Sequence, residues 1–139
     1  SATSLEVQQE LGLEYCSDVR GYSPFIPVFK GREFSTIQIP TTLPTMDEIY
    51  GLPGINDNTI PTCWLDGMDK DWNVLTVHAE MEGMSKLAVF DKFLTMAKER
   101  GTEFFTLRQY ARTSQPQTCV IKMGTLTGRA GTLAVQETI

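Results

Sequence analysis

The chain has 139 residues, with 12 Lys and Arg against 17 Asp and Glu and a formal charge of −5. That length fits a single domain, residues 1–139, and the 41% hydrophobic content is enough for a real core. The acidic balance leaves no basic patch and argues against a nucleic-acid partner. Cys16, Cys63 and Cys119 lie far apart in no zinc-like spacing, and an odd number argues against a disulfide scaffold, so a reducing compartment is expected. No apolar run approaches the length of a membrane span, and nothing at the start reads as a signal peptide. The chain opens without a methionine, on what reads as a helix already under way, and so resembles the middle of something longer.

In chain order, Leu5, Val7 and Leu11 predict a helix that Gly12 stops. Leu13 to Cys16 reads as a short strand ending in Ser17-Asp18-Val19-Arg20-Gly21, where Asp18 either starts a turn or serves as partner to a catalytic group. Phe25 to Phe29 is apolar but carries Pro27, which predicts an edge strand or packed loop, and Lys30-Gly31-Arg32 a hairpin tip. Phe34 to Ile39 alternates as a strand does. The stiff Pro40-Thr41-Thr42-Leu43-Pro44 that follows is either a plain connection or a substrate-binding wall bearing two hydroxyls. Thr45 with Glu48 forms a capping-box signature for a short helix, and a second helix is expected from Pro61 to Met68.

The next stretch predicts a βαβ unit. Val74 to Val77 reads as a buried strand, Ser85 as the cap of an amphipathic helix to Arg100 with Leu87, Phe90, Leu94 and Ala97 on its apolar face, and Glu103 to Phe105 as the following strand. Thr106 caps a last short helix, and Thr118–Met123 with Gly131–Gln136 predict a terminal hairpin. The first strand ends on His78, the sole histidine, at the level where α/β folds place their chemistry. A lone histidine is as often a hydrogen-bonded structural residue. With Asp18 at a strand end as well, the other reading is a carboxylate holding an imidazole in its acid form, a competent general acid. No nucleophile elbow, phosphate-cradling glycine loop or histidine pair for a metal is present.

Three ordered motifs carry a resemblance. They are Ser17-Asp18-Val19-Arg20-Gly21, then Gln38-Ile39-Pro40-Thr41-Thr42-Leu43-Pro44-Thr45 with Asp47-Glu48, and Val77-His78-Ala79-Glu80-Met81-Glu82-Gly83-Met84-Ser85, with Gly128-Arg129-Ala130-Gly131 as a closing echo. Together they resemble the C-terminal half of the polysaccharide deacetylase (NodB-homology) superfamily, nearest its deformylases of lipid-linked 4-deoxy-4-formamido-L-arabinose. The resemblance implies an α/β fold that is half of a distorted TIM-like (β/α) barrel. It implies a metal-dependent hydrolase of a carbohydrate amide, with His78 as general acid and Asp18 as the aspartate that orients it. Glu80, Glu82, Thr41 and Thr42 would then contact the amino-sugar substrate. A divalent metal, zinc or similar, is implied for an intact relative; its ligands and the general base belong to the N-terminal half, so this chain alone is expected to bind no metal and to be inactive. The expected partner is that N-terminal half, or a second copy along an open strand edge. The alternative is a non-catalytic half-barrel used for binding or assembly. The expected location is the cytoplasm, peripheral to the inner membrane where the substrate is lipid-linked.

Overall fold

Residues 1–138 are described in the computed structural model of the chain. The elements run α1 (Ala2–Glu10), β1 (Tyr15–Cys16), β2 (Phe25–Phe29), β3 (Arg32–Glu33), β4 (Ile37–Gln38), α2 (Met46–Ile49), α3 (Ile60–Asp66), a π-helical turn (Met81–Ser85), α4 (Leu87–Glu99), α5 (Leu107–Thr113), β5 (Gln117–Gly124) and β6 (Leu133–Gln136). They form two compact units. The first comprises Ser1–Thr42, Phe105–Leu126 and the residues from Ala130 on; the second comprises Leu43–Phe104 with Thr127–Arg129.

All six strands fall in the first unit, making it a mixed α/β unit with an open sheet in the order β1-β4-β2-β5-β6 and β3 hanging from β2. β1 and β4 pair in parallel, as do β2 and β5, while β5 and β6 form the antiparallel terminal hairpin expected from the sequence. Lys30 and Gly31 both take positive φ, 52° and 78°, which gives the β2–β3 hairpin the backbone twist that two-residue loops need. Leu5 of α1, Val19, Phe25, Phe34 and Ile121 make the core of this unit. Thr106 caps α5 as expected, in a reciprocal box with Gln109.

β2 departs from expectation: it is central, flanked by β5 on one side and by β3 and β4 on the other. Pro27 is tolerated there because its carbonyl accepts from the Phe34 amide at 2.9 Å, on the side facing away from β5. The N–H and C=O of one extended residue point the same way, so the missing donor falls where the β3 and β4 ladders meet and costs the β5 ladder nothing.

The second unit is helical. Met46, Ile49, Ile60, Trp64, Leu65, Val89, Phe93 and Ala97 form its core. The Trp64 indole N–H donates to the Pro44 carbonyl at 2.8 Å, and its ring meets Phe93 edge-on at 5.2 Å. The expected βαβ unit is not formed. Val74–Val77 and Glu103–Phe105 are irregular, and neither belongs to a strand ladder among the described residues; Val77, Phe104 and Phe105 are exposed. Branched and aromatic residues favour a pleated, half-buried surface, and without a neighbouring strand the preference alone makes no sheet. The helix between them starts one residue later than expected, with Lys86 rather than Ser85 at the cap position, and it buries Val89, Phe93 and Ala97 while Leu87 lies exposed. Of the face read from the sequence, Ala97 is buried and Phe90 and Leu94 pack half-buried against this core, so the face holds except at Leu87, with the i, i+4 row Val89, Phe93 and Ala97 at its centre.

Trp64 is fully buried at the centre of the helical core. Trp64→Ala is expected to destabilise that unit by about 3–5 kcal/mol, read as a lower urea midpoint. An unchanged midpoint would mean that this core does not hold the unit together.

Candidate functional site

His78 ends the irregular segment Val74–Val77 and enters a tightly closed turn. The Met81 and Glu82 amides both donate to the His78 carbonyl at 3.0 Å, and the Lys86 amide closes the π-helical turn on the Met81 carbonyl at 2.8 Å. Glu82 folds back: its Oε2 accepts from the His78 amide at 2.7 Å, so the carbonyl and the amide of His78 are both held by the same turn. Glu82 is 1% exposed, and its Oε1 has no hydrogen-bond partner among the described residues. Glu80 points to solvent, and the His78 side chain is half-buried.

The lead-in to α2 belongs to the same unit. The Leu43 amide donates to the Val74 carbonyl at 3.1 Å, tying this lead-in to the segment that carries His78. The buried Glu48 accepts from the Thr45 amide at 3.0 Å through Oε2 and pairs through Oε1 with Arg129 Nη1 at 3.2 Å. Gly128 makes that approach possible: at φ 83° it lies so close to Glu48 that a Cβ would overlap the Glu48 carbonyl. Asp47, exposed beside them, has its carboxyl held below the usual carboxylate range. The Thr45 side chain is the largest cause; the Asp47 backbone amide and the charges of His78 and Arg129 add to it, against an opposing effect of burial. His78 thus has an acidic neighbour in its own unit, and that neighbour is Asp47.

Asp18 lies in the other unit and has its own network. It is exposed, and its Oδ2 accepts from Gln8 Nε2 of α1 at 2.7 Å; Gln8 Oε1 in turn accepts from Nε2 of the fully buried Gln38 in β4 at 3.1 Å. Thr41 is buried and parallel to this stretch: its amide donates to the Val19 carbonyl at 3.0 Å and its carbonyl accepts from the Gly21 amide at 3.3 Å. Thr42 is half-buried next to it. A small, partly open cavity of about 60 Å³ adjoins Asp18, walled by Leu5, Val19, Phe29, Ile121 and Ala134. Within their units, then, Asp18 and Thr41 share one end of the sheet, and His78, Glu80 and Glu82 share one turn.

The three cysteines are free, and burial, followed by the Asp18 charge, pushes the Cys16 thiol up. Among the described residues no group of three His, Cys, Asp or Glu side chains could hold a metal ion. The donor set does not fit the divalent ion that the resemblance implies. Sequence reasoning missed Gln8, whose helical context gave no signal, and the service of Asp47 and Arg129 beside His78. Those two were visible only inside the quoted motifs.

No family model matches the chain. Two curated deformylases are similar to it. One, from Shewanella sediminis, is 38% identical over 102 residues, 73% of this chain and 32% of that protein. Another, from Wigglesworthia glossinidia brevipalpis, is 30% identical over 136 residues, 96% of this chain and 48% of that protein. Both are named Probable 4-deoxy-4-formamido-L-arabinose-phosphoundecaprenol deformylase ArnD. The similarity supports a relation to the deformylase and deacetylase family. This chain spans between about a third and a half of the length of the curated relatives it matches. No helix among the described residues is long and apolar enough to cross a membrane.

Because the Asp47 pKa is depressed on folding, its stabilising contribution is present above the unfolded value of about 3.9 and is lost as pH falls through the lower folded value. Thr45→Val removes the largest cause. Carbonyl-detected NMR should show the Asp47 titration moving to higher pH, with acid unfolding setting in earlier below about pH 4. A midpoint that stays put would remove Thr45 from this role.

Proposed function

We propose that the chain carries the general-acid portion of a carbohydrate amide hydrolase that removes a formyl or related acyl group from an amino sugar. The observation that carries this reading is the 30% identity to a named deformylase across 96% of the chain, a span too long to leave out either Asp18 or His78. In this reading the C–N bond of the formamide breaks, the leaving nitrogen takes its proton from the His78 imidazolium, and the acyl carbon departs with the hydroxyl of water as formate. Asp18, held by Gln8, is the carboxylate that orients the acid. Glu80 offers a solvent-facing carboxylate to the sugar and the half-buried Thr42 a hydroxyl, while the expected contact from Thr41 would need its buried side chain to be uncovered. Glu82, buried, contributes from behind the His78 backbone.

The relatives' names carry a phosphoundecaprenol on the sugar, which supports a lipid-linked formamido sugar as the substrate class of this reading, met at the cytoplasmic face of the inner membrane. The remaining parts of the site, with donors for a divalent ion and a general base, come in this reading from a separate N-terminal portion that completes a (β/α) barrel along an open strand edge. A second reading is a non-catalytic binding or assembly module, with which the missing three-ligand donor set among the described residues is equally compatible.

Co-expression with the N-terminal portion of the Shewanella sediminis relative, with divalent ion supplied, separates the two. Release of formate from a phosphate-linked formamido sugar is expected, and His78→Ala should lower its rate by roughly 10²–10⁴-fold without dispersing the complex. A metal-loaded complex that releases no formate would leave the binding reading in place.

A further inference from the structure

A carboxylate taken out of water must find donors, and an unpaired buried oxygen is costly. Glu82 is 1% exposed, and among the described residues one of its oxygens is unpartnered while the other takes a single bond, 2.7 Å, from the backbone N–H of His78. An ordinary capping carboxylate serves the residue that opens its helix, as Glu48 does for Thr45 in this same unit. Glu82 reaches further, past Ala79 and Glu80, to the residue that bears the imidazole. The π-helical turn makes this reach possible. Its wider ring directs Glu82 inward, whereas Gly83, Met84 and Ser85 lie on the exposed side. Such turns cost helical regularity and recur where a side chain must be aimed.

We propose that Glu82 is a positioning residue: its carboxylate locks the His78 backbone so that the imidazole is presented in one orientation. A charge-assisted bond to the amide, together with two amides on the carbonyl, fixes the peptide planes on both sides of His78. The side chain is then left with only its own rotamers. The inference deepens the reading of His78 as general acid and rests on it for its purpose, but the lock itself is a property of the folded chain.

Because His78 is the sole histidine, two readouts follow it without interference. One is hydrogen exchange of its amide; the other is the rate at which diethyl pyrocarbonate modifies its imidazole. In Glu82→Ala the amide should exchange about tenfold faster or more, as expected for loss of a charge-assisted hydrogen bond, and the imidazole should react at a changed rate, with circular dichroism and Tm near those of the parent. Glu82→Gln keeps an acceptor oxygen at the same reach and should restore both readouts. Glu82→Asp keeps the charge but is one methylene too short, and should behave like Glu82→Ala. If Glu82→Ala does not fold, the Gln and Asp pair carries the same comparison. A folded Glu82→Ala or Glu82→Asp with parental amide exchange and imidazole reactivity would overturn the proposal. Neither readout needs turnover, so a chain inert toward formamido sugars would count against the general-acid reading while leaving the lock intact.

Discussion

Two carboxylates in the helical unit have lost their water, and the way each is held sets the local geometry around His78. Glu48 accepts from a backbone amide three residues before it and from Arg129; Glu82 accepts from a backbone amide four residues before it. In both cases a buried negative charge is matched to an N–H that would otherwise be an orphan at the start of a helical turn. The consequence is stiffness at two points, the entry to α2 and the turn after His78. The hydrogen bond from Leu43 to Val74 links the segments that lead into them. Asp47 is carried by the first of these fixed points, and its depressed pKa reflects chiefly the Thr45 side chain, with its own backbone amide and the charges of His78 and Arg129 adding less, against burial.

Much of this was readable from residue order alone where the signal was local. The caps at Thr45 and Thr106, the positive-φ hairpin at Lys30-Gly31 and the terminal hairpin all follow from short-range chemistry, which the chain carries within a few residues. What failed was non-local. Val74–Val77 has the composition of a buried strand, but composition cannot supply the neighbour that a ladder requires. Pro27 looked like an edge residue because a proline's cost depends on which side its missing donor faces, and that is known only once Phe34 is seen on that side.

The candidate site divides in the same way. His78 was legible because it is unique and ends an apolar run; its support by Glu82 was not, since Glu82 reads as one more loop carboxylate until its burial is known. Gln8 is a similar case, a helix-surface glutamine by sequence that proves to bridge Asp18 and the buried Gln38. The polar residues that orient others are the ones whose roles depend most on packing.

The proline in β2 also acts as a key for strand alignment. In the observed pairing Pro27 stands opposite Cys119, with its donor-less nitrogen turned away from β5. A slip of β2 by one residue would reverse which groups face β5, setting that nitrogen against a carbonyl with nothing to offer and moving Phe25 out of the core. Misaligned pairings are thus penalised twice, once by the side chains and once by the backbone. A single residue that seems to weaken the central strand narrows the ways in which the sheet can be assembled.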